Sequence, residues 1–183
     1  MTQGVSSSTS FGLTIAYLIP GFLALVALAA YSPPIQGWLA FSGSSAPTVG
    51  GFFYATLASL ALGLTLSTVR WLVLDPLHRI TGISHPSWDF SKLQQHVDAF
   101  LTSVDHHYRY YQFYGNCLVV LVLLTVFPYP ISALFPGGYW SHRVLAAALA
   151  LVFFAASRDT LRKYHDRARA IQEASRIIPG ASQ

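Results

Sequence analysis

Asp105 to Phe127 reads DHHYRYYQFYGNCLVVLVLLTVF. Two histidines, an arginine and four tyrosines stand directly before an apolar run. Three readings compete for such a stretch: a catalytic constellation, a stacking surface for nucleic acid, or the collar of a membrane helix. On a helix, Tyr108, Tyr110, Tyr111, Phe113 and Tyr114 point around nearly the whole circumference, at the level where polar residues give way to apolar ones. Tyrosine suits the membrane boundary because its ring is apolar and its hydroxyl needs water. The collar reading therefore leads, with Tyr108, Arg109, Tyr110, Tyr111 and Tyr114 as an interfacial belt and Arg109 in reach of lipid phosphates.

The rest of the chain fits a membrane. Of its 183 residues 53% are hydrophobic and only 10% are charged, against about 25% charged in soluble domains. The mean hydropathy is +0.46, and the apolar residues are bunched into runs, as membrane spans require. Four segments qualify as spans, at about 11–31, 51–74, 114–135 and 139–157. In the third, Pro128 and Pro130 should end or kink the helix early. Cys117 is the lone cysteine, so no disulfide framework exists.

Orientation follows from the basic residues. All 11 lysines and arginines except Arg143 lie beside or between spans two and three or after span four. The loop "SPPIQGWLAFSGSSAPTVGG" has none. The positive-inside rule then places both termini and the middle loop in the cytoplasm. The small-residue pattern at Ala27 to Tyr31 would suit a signal-peptide cleavage site, but the first ten residues carry no basic side chain and the apolar run is long for a signal. The expected fold is an all-α polytopic protein of the bacterial inner membrane. It has four transmembrane helices and two cytoplasmic helical extensions. One extension is a stalk over about 91–113, counted with the membrane domain 1–157; the other is a tail over 158–178.

Periodicity supports both extensions. Leu93, Val97, Phe100, Leu101, Val104, Tyr108 and Tyr111 share one side of a helix, which Asp89 or Ser91 can cap. In the tail, Leu161, Tyr164, Ala168, Ile171, Ser175 and Ile178 form a heptad seam. "DTLR", "DRAR" and "EASR" repeat an acid-to-arginine spacing suited to ion pairs along the outer face, and Pro179-Gly180 ends the helix. The stalk leads into the membrane and the tail leads out, so the two are placed to pack antiparallel. Within the spans, Ala55, Ser59, Gly63 and Ser67 fall four apart, a small-residue stripe that lets two helices approach closely. The stripe suits packing within the chain and packing between protomers equally. Arg70 reads as a polar in-membrane residue that snorkels to the surface, and Asn116 as a hydrogen-bonding partner of another helix.

Chemistry is thinly signalled. Neighbouring His106 and His107 diverge by about 100° on a helix and cannot share a metal. His96 and His107 are three turns apart, and no HExxH or paired-cysteine motif occurs, so no metal or cofactor is expected. The tail arginines are paired with acids, which leaves little field for nucleic acid. Arg158 and His165, seven apart, resemble the Arg-x(4–6)-His motif of HEPN ribonucleases. The same spacing suits a basic cytoplasmic flank, which the residues favour, and the balance leans away from an enzyme. "AYLIPGF", "YSPPIQGWL", "RWLVLDPLHRITGI", "PSWDFSKLQ" and "HYRYYQFYGN" together resemble an uncharacterised family of small bacterial multi-pass membrane proteins. That resemblance implies a bacterial origin and brings no activity. Through Arg158 and His165 the chain is also loosely similar to the pore-forming membrane accessory protein of type VI-B CRISPR systems. The leading expectation is a homo-oligomeric membrane assembly in the lipid bilayer, as a pore or channel subunit. A scaffold that recruits a cytosolic protein partner comes second, and a membrane-tethered HEPN-like ribonuclease third.

Overall fold

The computed structural model describes residues 12, 14–39, 48–87, 89–94, 96–127 and 139–177. The expected start of the first span at Phe11, the end of the third beyond Phe127, and Ile178 and Pro179-Gly180 lie outside the described residues, as do the side chains of Lys92, Tyr139, Ser175 and Arg176. The described residues are helical, with no strand among them. A π-helical turn, Thr14–Leu18, leads into α1 (Ile19–Ala29), which is followed by the short α2 (Pro33–Trp38). The long α3 (Val49–Ile80) comes next, then α4 (Phe90–Gln94) and α5 (Val97–Ser103). A second π-helical turn, Val104–Tyr108, opens into α6 (Arg109–Val126), and α7 (Tyr139–Ile177) completes the chain.

Two of these helices, α3 and α7, are long and apolar enough to cross a membrane. At about 1.5 Å per residue each exceeds the ~30 Å of a bilayer core. In α7 the expected fourth span and the tail form one unbroken helix. The expected continuous stalk is instead divided, because His96 leaves helical geometry (φ −131, ψ 45) and the second π turn shifts the phase of α6 relative to α5.

The small-residue stripe packs within the chain. Gly21 of α1 and Gly63 of α3 face each other's backbones: a Cβ on Gly21 would stand 1.7 Å from the Ser59 carbonyl oxygen, and one on Gly63 would stand 2.1 Å from that of Tyr17. Ser59 turns its hydroxyl inward to the Ala55 carbonyl at 2.7 Å, so it adds no bulk to the contact. Ala55, Ser59 and Gly63 are buried and Ser67 is half-buried. The same contact explains Asn116. Pro20 has no N–H to give the carbonyl four residues earlier, that of Ala16. The Asn116 Nδ2 of α6 donates to that oxygen at 2.8 Å, from a fully buried position. The expected interhelical bond of Asn116 thus has a local cause in α1.

α6 packs against α1 and α3, and α7 lies along α6 and the segment before it. Elsewhere α3 and α7 part, leaving an apolar cleft of about 480 Å³ lined by Val73, Leu77, Leu118, Val122, Leu151 and Phe154. At the polar end the stalk and tail pack antiparallel, as expected from their apolar faces. The Tyr164 ring lies 6.4 Å from Phe100 and 5.1 Å from Tyr108, and Leu161 and Ala168 are buried beside it. The repeat pairs as expected at Asp166 and differently at Asp159. Asp159 takes Lys163, four residues on, at 2.6 Å rather than Arg162, while Asp166 takes Arg169 at 3.6 Å.

We expect Gly63→Ala to lower stability by about 1–3 kcal/mol, the usual cost of forcing bulk into a packed contact, and Gly63→Leu to prevent folding. Gly50→Ala meets nothing within 4 Å and should leave the thermal midpoint in detergent unchanged. Equal midpoints for the Gly63 and Gly50 variants would show that the α1–α3 contact is not as described.

Candidate functional site at the polar end

The site is built where α3 ends and α6 begins. α3 closes with a glycine cap: Gly82 has φ 95, its N–H reaches the Arg79 carbonyl at 3.1 Å, and the Ile83 N–H reaches that of His78 at 3.0 Å. Only glycine takes that backbone conformation without strain. The cap turns Ile83 inward, where it is 6% exposed against Tyr111, Leu161 and Tyr164. It also carries Ser84 and His85 back towards α7. Arg158 donates to the Thr81 side chain and carbonyl, and Arg169 donates to the Ser84 carbonyl and hydroxyl at 2.8 and 2.7 Å. The turn is therefore clamped to α7 by two arginines.

Beneath the turn lies a buried polar cluster. Arg70 is 3% exposed and pairs with Asp75 Oδ1 at 2.7 Å. The Tyr111 hydroxyl donates to the same oxygen, and the Arg70 guanidinium sits 4.7 Å from the centre of the Tyr111 ring. Arg70 does not snorkel as expected. A Cβ on Gly115 would stand 2.5 Å from Arg70 Cδ, so the bare glycine of α6 admits the arginine stem and the ion pair forms inside the bundle. One helical turn beyond Asp75, the fully buried His78 meets Ser157 Oγ at 3.1 Å. Ser157 gives its own proton to the Phe154 carbonyl at 2.9 Å, which makes His78 Nε2 the donor and leaves Nδ1 as an acceptor.

The tyrosine belt separates into roles. Tyr111 is a core residue, 1% exposed. Tyr108 is half-buried between Tyr111 and Tyr164, at 5.9 and 5.1 Å. Tyr114 packs edge-on against Phe153, while Tyr110 is 36% exposed. Arg109 is half-buried, 4.0 Å from Asp105 and 3.4 Å from Gln112 Oε1. Gln112 in turn donates to the Tyr17 hydroxyl. The reason for the split is that α7 covers one side of the collar, so only the other side keeps the belt's exposure.

Above the cluster opens a crevice of about 250 Å³, lined by Trp71, Asp75, His78, Arg79, Ile83, His85, Tyr108, Tyr111, Leu161, Tyr164 and His165. His85 and His165 face each other with ring centres 4.9 Å apart, and Arg79 reaches His85 Nε2 at 3.4 Å. His165 is 3% exposed. Burial first, then His85 and Arg169, push its pKa down to about 4, against the opposing pull of Asp166 and the Ser84 backbone. Burial, then Arg167 and the neighbouring His106, also lower His107. Burial likewise raises the Tyr164 phenol to about 12. Arg158 bonds the Thr81 turn, and His165 faces the His85 ring. Among the described residues no three histidine, cysteine, aspartate or glutamate side chains are grouped to hold a metal.

Asp75, His78, His85, Gly115 and Ser157 were not singled out by motif. Gly115, a glycine inside an apolar helix, and Gly82, just past a helix end, were the available signals. The others depend on pairings between distant segments.

Tyr111→Phe should cost about 1–3 kcal/mol in detergent unfolding, because it strips a hydrogen bond from a buried charge, whereas Tyr110→Phe should be neutral. A pH test addresses His165. In the unfolded chain it takes up its proton near pH 6.5, in the fold only near 4. Between those values unfolding binds a proton, so the stabilisation is complete above 6.5 and lost as pH falls towards 4. We expect the fall in thermal midpoint from pH 7 to 5 to be smaller in His165→Gln than in the parent. Parallel falls would show that His165 is not held neutral.

Comparison with protein-family models, curated proteins and solved structures found no match, so the functional reading stands on the site's own residues.

Proposed function

We propose that this chain is a four-span protein of the bacterial inner membrane, with both termini in the cytoplasm, and that it serves as a scaffold presenting a rigid cytosolic platform. The observation that carries the reading is the antiparallel packing of stalk and tail into one unit continuous with α3, α6 and α7. The distribution of residues supports the membrane setting. Arg70, His78, Asn116 and Ser157 are buried, while Phe52, Leu72, Leu151 and Val152 face outward, Phe52 and Leu151 each 72% exposed. Such an arrangement is favourable where the surrounding solvent is lipid. In this reading α1 and α6 join α3 and α7 as the four spans, and the crevice lies on the cytosolic side.

The oligomeric pore has less support, because Gly63 is already occupied within the chain and Arg70 is neutralised by Asp75 rather than lining a polar path. The platform's outer face, with Arg162, Lys163, Asp166 and Arg167 exposed, is the surface offered to a cytosolic partner.

Reporters fused after Gln183 and within residues 81–87 should both read cytoplasmic; a periplasmic signal from either would sink the four-span topology. The purified protein, reconstituted in vesicles, should carry no ion conductance. Photo-crosslinkers at Arg162 and Arg167 should capture a partner that crosslinkers at Phe52 do not. Ion conductance from the reconstituted parent protein would restore the pore and overturn the scaffold.

A further inference from the structure

The crevice has a chemical character that the scaffold reading does not use. Among the described residues one arginine, Arg79, lines it; Arg70 lies behind the wall carboxylate Asp75, and Arg158 and Arg169 hold the turn at its rim. Two carboxylates answer them, Asp75 on Arg70 and Asp166 on Arg169. Arg158 and Arg169 point at the carbonyls of Thr81 and Ser84. Arg79 is exposed and has no acidic partner among the described residues; its guanidinium reaches the His85 ring. Three imidazoles, His78, His85 and His165, line the same hollow with the Tyr108 and Tyr164 side chains. The one carboxylate on the wall, Asp75, already accepts from both Arg70 and Tyr111. Excess positive charge around a half-enclosed hollow attracts anions, and the guanidinium fork of Arg79 on its wall matches phosphate geometry.

The rim gives the direction of approach. Trp71 lines the crevice and is 62% exposed, on the outward apolar face of α3 one turn before Asp75. An indole at that level belongs at the lipid boundary. The hollow is thus bordered by lipid on one side and by Arg79 and His85 on the other.

We propose that this crevice binds a phosphate group at the cytosolic membrane surface, held by Arg79 and His85 with His165 behind them. The inference rests on the cytosolic placement of the polar end. A phospholipid headgroup entering past Trp71 supplies such a phosphate, and so does a soluble phosphate ester.

The test uses the full chain in neutral detergent and measures thermal unfolding with three probes: phosphatidylglycerol, phosphatidylcholine and glycerol 3-phosphate. Phosphatidylglycerol should raise the midpoint saturably. Arg79→Gln and His85→Gln should weaken that response about tenfold, the scale of a lost charge-assisted hydrogen bond. Both side chains are exposed, so both variants should fold, as helical content will report. Lys163→Gln removes an equally exposed charge paired with Asp159 and should respond as the parent does. If glycerol 3-phosphate gives the same Arg79-dependent shift, the site stands and its phosphate comes from a soluble ester. If phosphatidylcholine alone gives it, the site stands with a zwitterionic lipid. No Arg79-dependent shift from any probe, or equal losses in Arg79→Gln and Lys163→Gln, would overturn the site. A wrong topology would show in the reporter fusions instead, so the two failures are distinguishable.

Discussion

A charged guanidinium placed inside an apolar bundle must be answered there, and the pairing of Arg70 with Asp75 under the Tyr111 ring is how this fold answers it. Breaking such a pair leaves an uncompensated buried charge, which costs about 3–5 kcal/mol. The pair also fixes the register between α3 and α6. Gly115 must lie opposite the arginine stem, because any side chain there would displace it. With Gly115 placed, Tyr111 reaches Asp75 and Asn116 reaches the Ala16 carbonyl. The positions of α1, α3 and α6 are thus tied to one ion pair.

From that layer outward the polar end is assembled by backbone groups that need partners. α3 stops in a glycine cap that sends Ile83 into the core. The carbonyls of Thr81 and Ser84, left over by the turn, accept from Arg158 and Arg169. Arg158 therefore does a structural task, and the crevice forms as the space between the cap, the second π turn and α7. π turns rephase a helix and recur at functional positions. Here the rephasing keeps Tyr108 and Tyr111 on the side that meets Tyr164 and Asp75.

The division of the tyrosine collar shows how a sequence signal becomes two kinds of contact. Aromatic residues before an apolar run mark a boundary between solvents, and Tyr110 keeps the exposure of such a boundary residue. Once α7 covers one side, Tyr108 and Tyr111 exchange solvent for packing, and their roles cease to be interchangeable. A similar change of role befell the small-residue stripe: the same bare surface serves any close helix, and α1 is the one that meets it.

The sequence by itself determined that the regular structure among the described residues is helical and that apolar runs alternate with polar extensions, because period, run length and basic flanks are local properties. The antiparallel pairing of stalk and tail was legible too, since two amphipathic faces joined by one helical hairpin have a single way to meet. The division of the stalk at His96 was not legible, because the apolar period continues across it. Nor was the burial of Arg70: snorkelling and internal pairing begin from the same residue and differ only in what lies opposite. Gly115 on another helix decides between them. His85 and His165 are 80 positions apart, and nothing local to either predicts that they share a crevice. Tertiary structure alone decided those pairings, because a buried charge or imidazole takes its meaning from partners that the chain brings together only on folding.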